Sequence, residues 1–88
     1  MTDDKIEKLT PVFKTYTKEQ LKMKRRLLGY SQNDIAVLCG VTSETIRNIE
    51  SGKTNKVSNY YLMGVCLEKL ALRCTDKSVL DVLYVLDI

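Results

Sequence analysis

Hydroxyl residues and glycines alternate through the middle of the chain, and this alternation constrains the fold more than any other feature of the sequence. Ser31 and Gly40 bound one helical segment, and Thr42 and Gly52 bound the next. A Ser or Thr before a helix accepts a hydrogen bond from its first turn, whereas Gly after a helix readily adopts the positive φ of the last residue. Only Val41 separates the two segments. The pattern therefore predicts two short helices, the second running from Ser43 to about Ser51, that cross at a tight turn.

Further helix signals lie on both sides of this pair. Thr17, followed three residues later by Gln20, resembles a capping box that opens a helix reaching about Leu28. A fourth helix is expected to begin after a cap at Ser58 and to reach about Leu72. The apolar residues expected on its buried face are Tyr61, Leu62, Val65, Cys66 and Leu70.

The end of the chain permits two interpretations. Thr75 or Asp76 can cap a last helix over 78–86, but the segment is so apolar that a strand is an alternative. We therefore predict an all-α fold, a compact bundle of about five helices. Its expected organisation is an N-terminal extension over 1–16, a central domain over 17–74 and a C-terminal apolar helix over 75–88. That last helix is expected to pair two copies of the chain, to close the core, or to do both.

Composition restricts the function. The 88 residues contain no histidine, and the three cysteines form no Cys-x-x-Cys pair, so we expect no metal site, no cofactor and no enzyme. The longest apolar run, 82–86, is far too short to cross a bilayer, and the acidic start is not a signal peptide. We expect no membrane partner and a cytoplasmic location. The net charge of +3 is concentrated, because residues 17–56 hold eight basic and four acidic side chains.

A helical wheel divides the expected helix 43–51 into two faces. At about 100° per residue, five of its polar side chains share an arc of roughly 140°, while the other side, with Ile46 and Ile49, is largely apolar. A helix that enters the major groove of DNA needs this division, with its polar arc towards the base edges. The arrangement of helix, glycine, apolar residue, cap and helix over 31–53 is the helix-turn-helix layout.

This stretch resembles the DNA-binding domain of Cro and the phage repressors. The resemblance rests on three sequence motifs, which are Gly-Tyr-Ser-Gln over 29–32, Gly-Val-Thr over 40–42 and Ile-Glu-Ser-Gly-Lys over 49–53. The resemblance implies a lambda-repressor-like fold, a phosphate contact from Gln32, and a partly buried ion pair between Arg25 and Glu50. It departs at the chain ends and at Asn55-Lys56, where the family often has Asn-Pro.

Candidate DNA contacts follow from the layout. The candidate base contacts are Thr42, Ser43, Glu44, Arg47 and Asn48. The candidate phosphate contacts are Gln32, Ser51, Lys53, Thr54, Asn55 and Lys56. Structural alternatives stay open, because Glu44 can instead interact favourably with the positive N-terminal end of the helix dipole, and the polar arc can be an ordinary solvent-exposed face. Lys22, Lys24 and Arg26 are expected on a solvated face that raises the general positive potential.

These features favour a sequence-specific regulator of transcription, a repressor of prokaryotic or phage type, whose partner is double-stranded DNA. One reading helix covers only ~4–6 base pairs, so we expect a homodimer, paired through 76–88, on a palindromic operator. The alternative is an antitoxin-like or adaptor module whose main partner is a protein bound through residues 1–16. The location would be the bacterial nucleoid, or the host cytoplasm for a phage-encoded chain.

Overall fold

The computed structural model describes residues 16–86 and 88, and within them the chain forms five helices. These are α1 (Lys18–Leu27), α2 (Gln32–Cys39), α3 (Ser43–Ser51), α4 (Val57–Arg73) and α5 (Lys77–Leu86). The described residues contain no strand, so the all-α prediction is confirmed and the strand alternative for the last segment is wrong.

The helix boundaries follow from local hydrogen bonds. Thr17 and Gln20 form the expected capping box of α1. Ser31 caps α2 and forms a second box with Asp34, whose carboxylate accepts the backbone N–H of Ser31 at 3.0 Å. That bond lowers the pKa of Asp34 below its ordinary value. Thr42 caps α3, its Oγ1 accepting the backbone N–H three residues later at 3.2 Å.

The turn between α2 and α3 depends on one left-handed residue. Gly40 has a φ of 72°, which an L side chain adopts only at a cost of roughly 1–2 kcal/mol. The N–H of Val41 then donates to the carbonyl of Ala36 at 2.9 Å, and the Val41 side chain packs against the core. Ala36 itself is buried. The chain therefore reverses within three residues and brings α3 against α2.

Helix α4 corrects two predictions. It begins at Val57 after Lys56, which provides no side-chain cap, so Ser58 is a helical residue and not the cap. Its buried face consists of Met63, Gly64, Leu67 and Leu70. Of the expected stripe only Leu70 is buried, whereas Tyr61 is 47% exposed and Leu62 is 40% exposed.

Gly64 helps to explain why α4 buries a different face from the one expected. A Cβ at this position would stand 3.3 Å from a ring carbon of Tyr16, so the missing side chain lets the Tyr16 ring approach the helix backbone. Since α4 carries apolar side chains on both sides, the docking partners decide which side faces inward. The core they form contains Leu21, Ile35, Ile46, Ile49, Met63 and Leu67, all buried.

Helix α5 closes one side of the bundle incompletely. Asp76 Oδ1 accepts the backbone N–H groups of Ser78 at 3.0 Å and Val79 at 3.4 Å, which makes it the capping residue. The Ser78 hydroxyl donates to the same oxygen at 2.6 Å, and this bond, with those from the backbone, lowers the pKa of Asp76. Leu83 is the buried residue of this helix. Tyr84 and Val85 are 88% and 80% exposed. No helix in the described part of the chain is both long and apolar enough to cross a membrane.

Candidate nucleic-acid interface

Helix α3 has an apolar inner face and a polar outer face. Ile46 and Ile49 are each 1% exposed and belong to the core. Across the helix, Glu44, Arg47 and Ser51 are exposed, and Ser43 and Asn48 are half-buried. Thr42, just before the helix, is exposed as well. All five candidate base contacts therefore lie on the side of the helix-turn-helix unit that the core does not use.

The first turns of α2 and α3 meet through a side-chain hydrogen bond. Ser43 Oγ donates to Asn33 Oδ1 at 2.9 Å. Asn33 is exposed and lies beside Gln32 in the first turn of α2. Sequence reasoning missed Asn33, although its place next to Gln32 at a helix start was a signal that could have found it. The bond adds a polar side chain of α2 to the outer face of α3.

The loop after α3 is braced at both ends. The N–H groups of Lys53 and Thr54 donate to the carbonyl of Asn48 at 2.9 and 3.4 Å. Thr54 Oγ1 accepts the N–H of Lys56 at 3.2 Å, and Tyr60 of α4 donates its hydroxyl proton to the Thr54 carbonyl at 3.0 Å. These bonds hold a four-residue loop in one shape.

The braced loop carries the cationic edge of the surface. Lys53, Asn55 and Lys56 are exposed, and Thr54 is half-buried. Both ammonium groups therefore stand in solvent immediately beyond the C-terminal end of α3. Sequence reasoning did not anticipate the contact from Tyr60, because it joins residues of two different elements.

Beneath the surface, Arg25 of α1 and Glu50 of α3 form a buried bidentate ion pair. Arg25 Nε and Nη2 donate to the two Glu50 carboxylate oxygens at 2.6 and 2.9 Å, and Nη1 donates to the Tyr30 carbonyl at 2.7 Å. Gln32 Nε2 also donates to Glu50, at 3.2 Å. The side-chain amide of Gln32, from which a phosphate contact is expected, is therefore hydrogen-bonded to this ion pair. The pair locks α3 against α1.

The basic residues of α1 do not share one environment. Lys24 is 2% exposed, and its Nζ lies 2.5 Å from Glu68 Oε1 and 5.0 Å from the centre of the Tyr16 ring. The Tyr16 hydroxyl also donates to Glu68. The expectation of a solvated Lys24 is therefore wrong, because its long stem lies in the core and its charge is paired with Glu68. Arg26 is exposed, whereas Lys22 is half-buried.

Two of the three cysteines behave as small core side chains. Cys39 and Cys66 are half-buried and pack against the core. Burial, assisted by the neighbouring Cys66 thiol, raises the pKa of Cys39 to about 12. A thiol with so high a pKa is protonated at neutral pH and is a poor nucleophile. Among the described residues, no group of three or more metal-ligating side chains is placed to hold an ion.

Comparison with protein families identifies the central part of the chain. Residues 21–56, from α1 to the end of the braced loop, match the family model described as Helix-turn-helix. No curated protein and no solved structure gives a significant match. This family is a DNA-binding regulatory one and not an enzymatic one. The chain therefore contains, over residues 21–56, a helix-turn-helix domain of the family typified by the phage repressors and Cro.

Proposed function

We propose that this protein is a sequence-specific regulator that binds double-stranded DNA with α3 in the major groove, and that it acts as a prokaryotic or phage-type repressor. The division of α3 carries the proposal. Ile46 and Ile49 attach the helix to the core, and its polar side chains project from the surface. An α-helix fits the major groove of B-DNA, where every base pair presents a distinct pattern of hydrogen-bonding groups.

The chemistry of the outer face suggests individual base contacts. Arg47 suits guanine, whose O6 and N7 accept two hydrogen bonds, although it can settle on a phosphate instead. Asn48 suits adenine through its amide, and Glu44 can accept a hydrogen bond from the amino group of cytosine. Thr42 and Ser43 complete the proposed reading set. A good bidentate contact discriminates against the wrong base by ~1–3 kcal/mol.

A second group of residues is proposed to hold the phosphate backbone. It lies at the two ends of the reading surface and consists of Gln32, Ser51, Lys53, Thr54, Asn55 and Lys56. Phosphate contacts orient a protein on the duplex and make its affinity depend on salt, but they do not read sequence directly. The bracing of the loop by Tyr60 supports this role, because a preordered loop loses less conformational entropy on binding.

Two copies of the chain are proposed to bind a palindromic operator. Helix-turn-helix dimers read half-sites about one helical turn apart, so the operator repeats the two-fold symmetry of the protein. The segment 76–88 is the proposed contact between copies. It exposes five apolar side chains of α5, namely Leu80, Val82, Tyr84, Val85 and Leu86. A bound dimer would repress by covering its operator, in the bacterial cytoplasm where the DNA lies.

Selection of bound sequences from a random duplex pool tests these proposals together. We expect a two-fold symmetric site, with affinity that falls steeply as salt is raised. Asn48→Ala should relax preference at one position in each half-site, whereas Lys53→Ala should weaken all sequences about equally. Lys69→Ala is the matched control, since Lys69 is exposed on α4 about 18 Å along the helix from its start beside the loop.

Two outcomes would overturn the proposal. One is that the protein binds no duplex even at low salt and Arg47→Ala changes nothing, which would favour a protein partner for this module. The other is that Asn48→Ala and Lys53→Ala lose sequence preference alike. An asymmetric selected site would contradict the dimer without contradicting DNA binding.

A further inference from the structure

The hydroxyl group at the start of the proposed reading helix has a defined direction. Ser43 is the first residue of α3, and its Oγ donates to Asn33 Oδ1 at 2.9 Å. Asn33 is the second residue of α2, and α2 and α3 are held against each other by the Gly40 turn and by the core. The donor and the acceptor therefore lie on two helices, α3 and α2, whose relative position is fixed by the buried core residues and not by this hydrogen bond.

The chemistry of a hydroxyl group makes this direction informative. A serine has one O–H proton to donate and two lone pairs that accept. With its proton committed to Asn33, Ser43 Oγ offers only acceptor capacity to a third group. In the major groove, adenine N6 and cytosine N4 are donors, whereas guanine O6 and N7 and thymine O4 are acceptors.

We propose that Asn33 is a specificity-determining positioning residue, which directs the Ser43 hydroxyl so that Ser43 selects adenine or cytosine over guanine or thymine. The inference rests on the proposed function, because it assumes that Ser43 faces a base. An undirected serine can contact either kind of base, since its proton rotates to suit the partner. Asn33 acts through Ser43 and needs no base contact of its own.

Two substitutions at Asn33 distinguish a Ser43 hydroxyl that is held in one direction from one that is free to rotate. Asn33→Ala removes the acceptor and releases the hydroxyl proton. Asn33→Asp retains an acceptor oxygen facing Ser43, and an acidic residue in the first turn suits the helix dipole. Its charge should lower affinity for every sequence by repelling phosphates, but it should leave the base preference intact.

The experiment is selection from a random duplex pool with the full chain, its two Asn33 variants and Val37→Ala. Val37 is the control because it is an exposed side chain one turn further along α2. We expect the wild type to enrich adenine or cytosine at one position in each half-site. Asn33→Ala should reduce that enrichment about fivefold, the worth of one ordinary hydrogen bond, without changing other positions. Asn33→Asp and Val37→Ala should retain it.

A double substitution tests whether Asn33 works through Ser43. Ser43→Ala should flatten the same position, and adding Asn33→Ala to it should flatten it no further. The inference is overturned if Asn33→Ala leaves the profile unchanged, if Asn33→Asp flattens it as Ala does, or if the position favours guanine or thymine. A wild-type chain that enriches no sequence would overturn the proposed function itself, which is a different result.

Discussion

Replacement of Glu50 by leucine should destabilise the fold by about 3–5 kcal/mol, because it leaves the guanidinium of Arg25 buried without its counter-charge. The Glu50 and Arg25 side chains are only 2% and 8% exposed. The carboxylate accepts two hydrogen bonds from Arg25 and one from Gln32, and all three are lost. The remaining donors cannot be rehydrated without opening the contact between α1 and α3.

The size of this effect is large for so small a chain. At ~0.05–0.15 kcal/mol per residue, a domain of this length has a total stability of roughly 4–13 kcal/mol. Each kcal/mol corresponds to a shift of about 4–8 °C in Tm at this size. Glu50→Leu should therefore lower Tm by about 12 °C or more.

Urea unfolding followed by helical circular dichroism measures the loss. The informative partner is the double variant Arg25→Met with Glu50→Leu, because a buried ion pair replaced by apolar residues of similar volume is often nearly neutral. We expect it to recover most of the stability lost in Glu50→Leu. Glu19→Leu, at a carboxylate whose side chain is 70% exposed, is the control and should cost less than about 1 kcal/mol.

The reasoning would be refuted by either of two results. One is a loss below about 1 kcal/mol in Glu50→Leu. The other is a double variant whose loss equals the sum of the losses in Glu50→Leu alone and Arg25→Met alone, because that would show no energetic coupling between the charges.

Three further changes have expected outcomes. In urea unfolding, Glu68→Gln should lower the stability by about 3 kcal/mol, because it leaves the buried Lys24 ammonium without its counter-charge, whereas Lys24→Met should cost only about 1 kcal/mol, because the Glu68 side chain is 48% exposed and can rehydrate. Equal losses of stability in the two variants would contradict this. Tyr60→Phe should weaken binding of all duplexes a few-fold, because it frees the loop at Thr54, and should change stability by only ~1 kcal/mol; a change in base preference would contradict this. Asp34→Asn should flatten the pH dependence of stability below about pH 3.8. Because the pKa of Asp34 is lowered in the folded protein, its carboxylate stabilises the fold above the ordinary pKa, and this stabilisation is lost as the pH falls through the pKa of the folded state. Stability measured against pH in acid should therefore differ between wild type and Asp34→Asn, and identical curves would exclude the effect.

The structure departs from sequence-based expectation at particular residues. Ser58 has the residue type of a cap, but α4 begins at Val57, two residues before the start that a cap at Ser58 predicts, directly after the loop held by Thr54 and Tyr60. Lys24 has the charge of a surface residue, but Glu68 and Tyr16 stand where they can pair with it. The acceptor on Asn33 and the brace from Tyr60 join residues of different elements, and no local pattern marks such contacts.

The sequence by itself determined the caps of α1, α2 and α3, the left-handed turn at Gly40 and the two faces of α3. These are set by hydrogen bonds and periodicity within three or four residues, so they can be read along the chain. Only the tertiary structure decided which face of α4 is buried, which lysine leaves the surface, and which side chains meet around α3. Those choices depend on the volumes and charges of residues far apart in sequence, such as Tyr16 against Gly64 and Lys24 against Glu68.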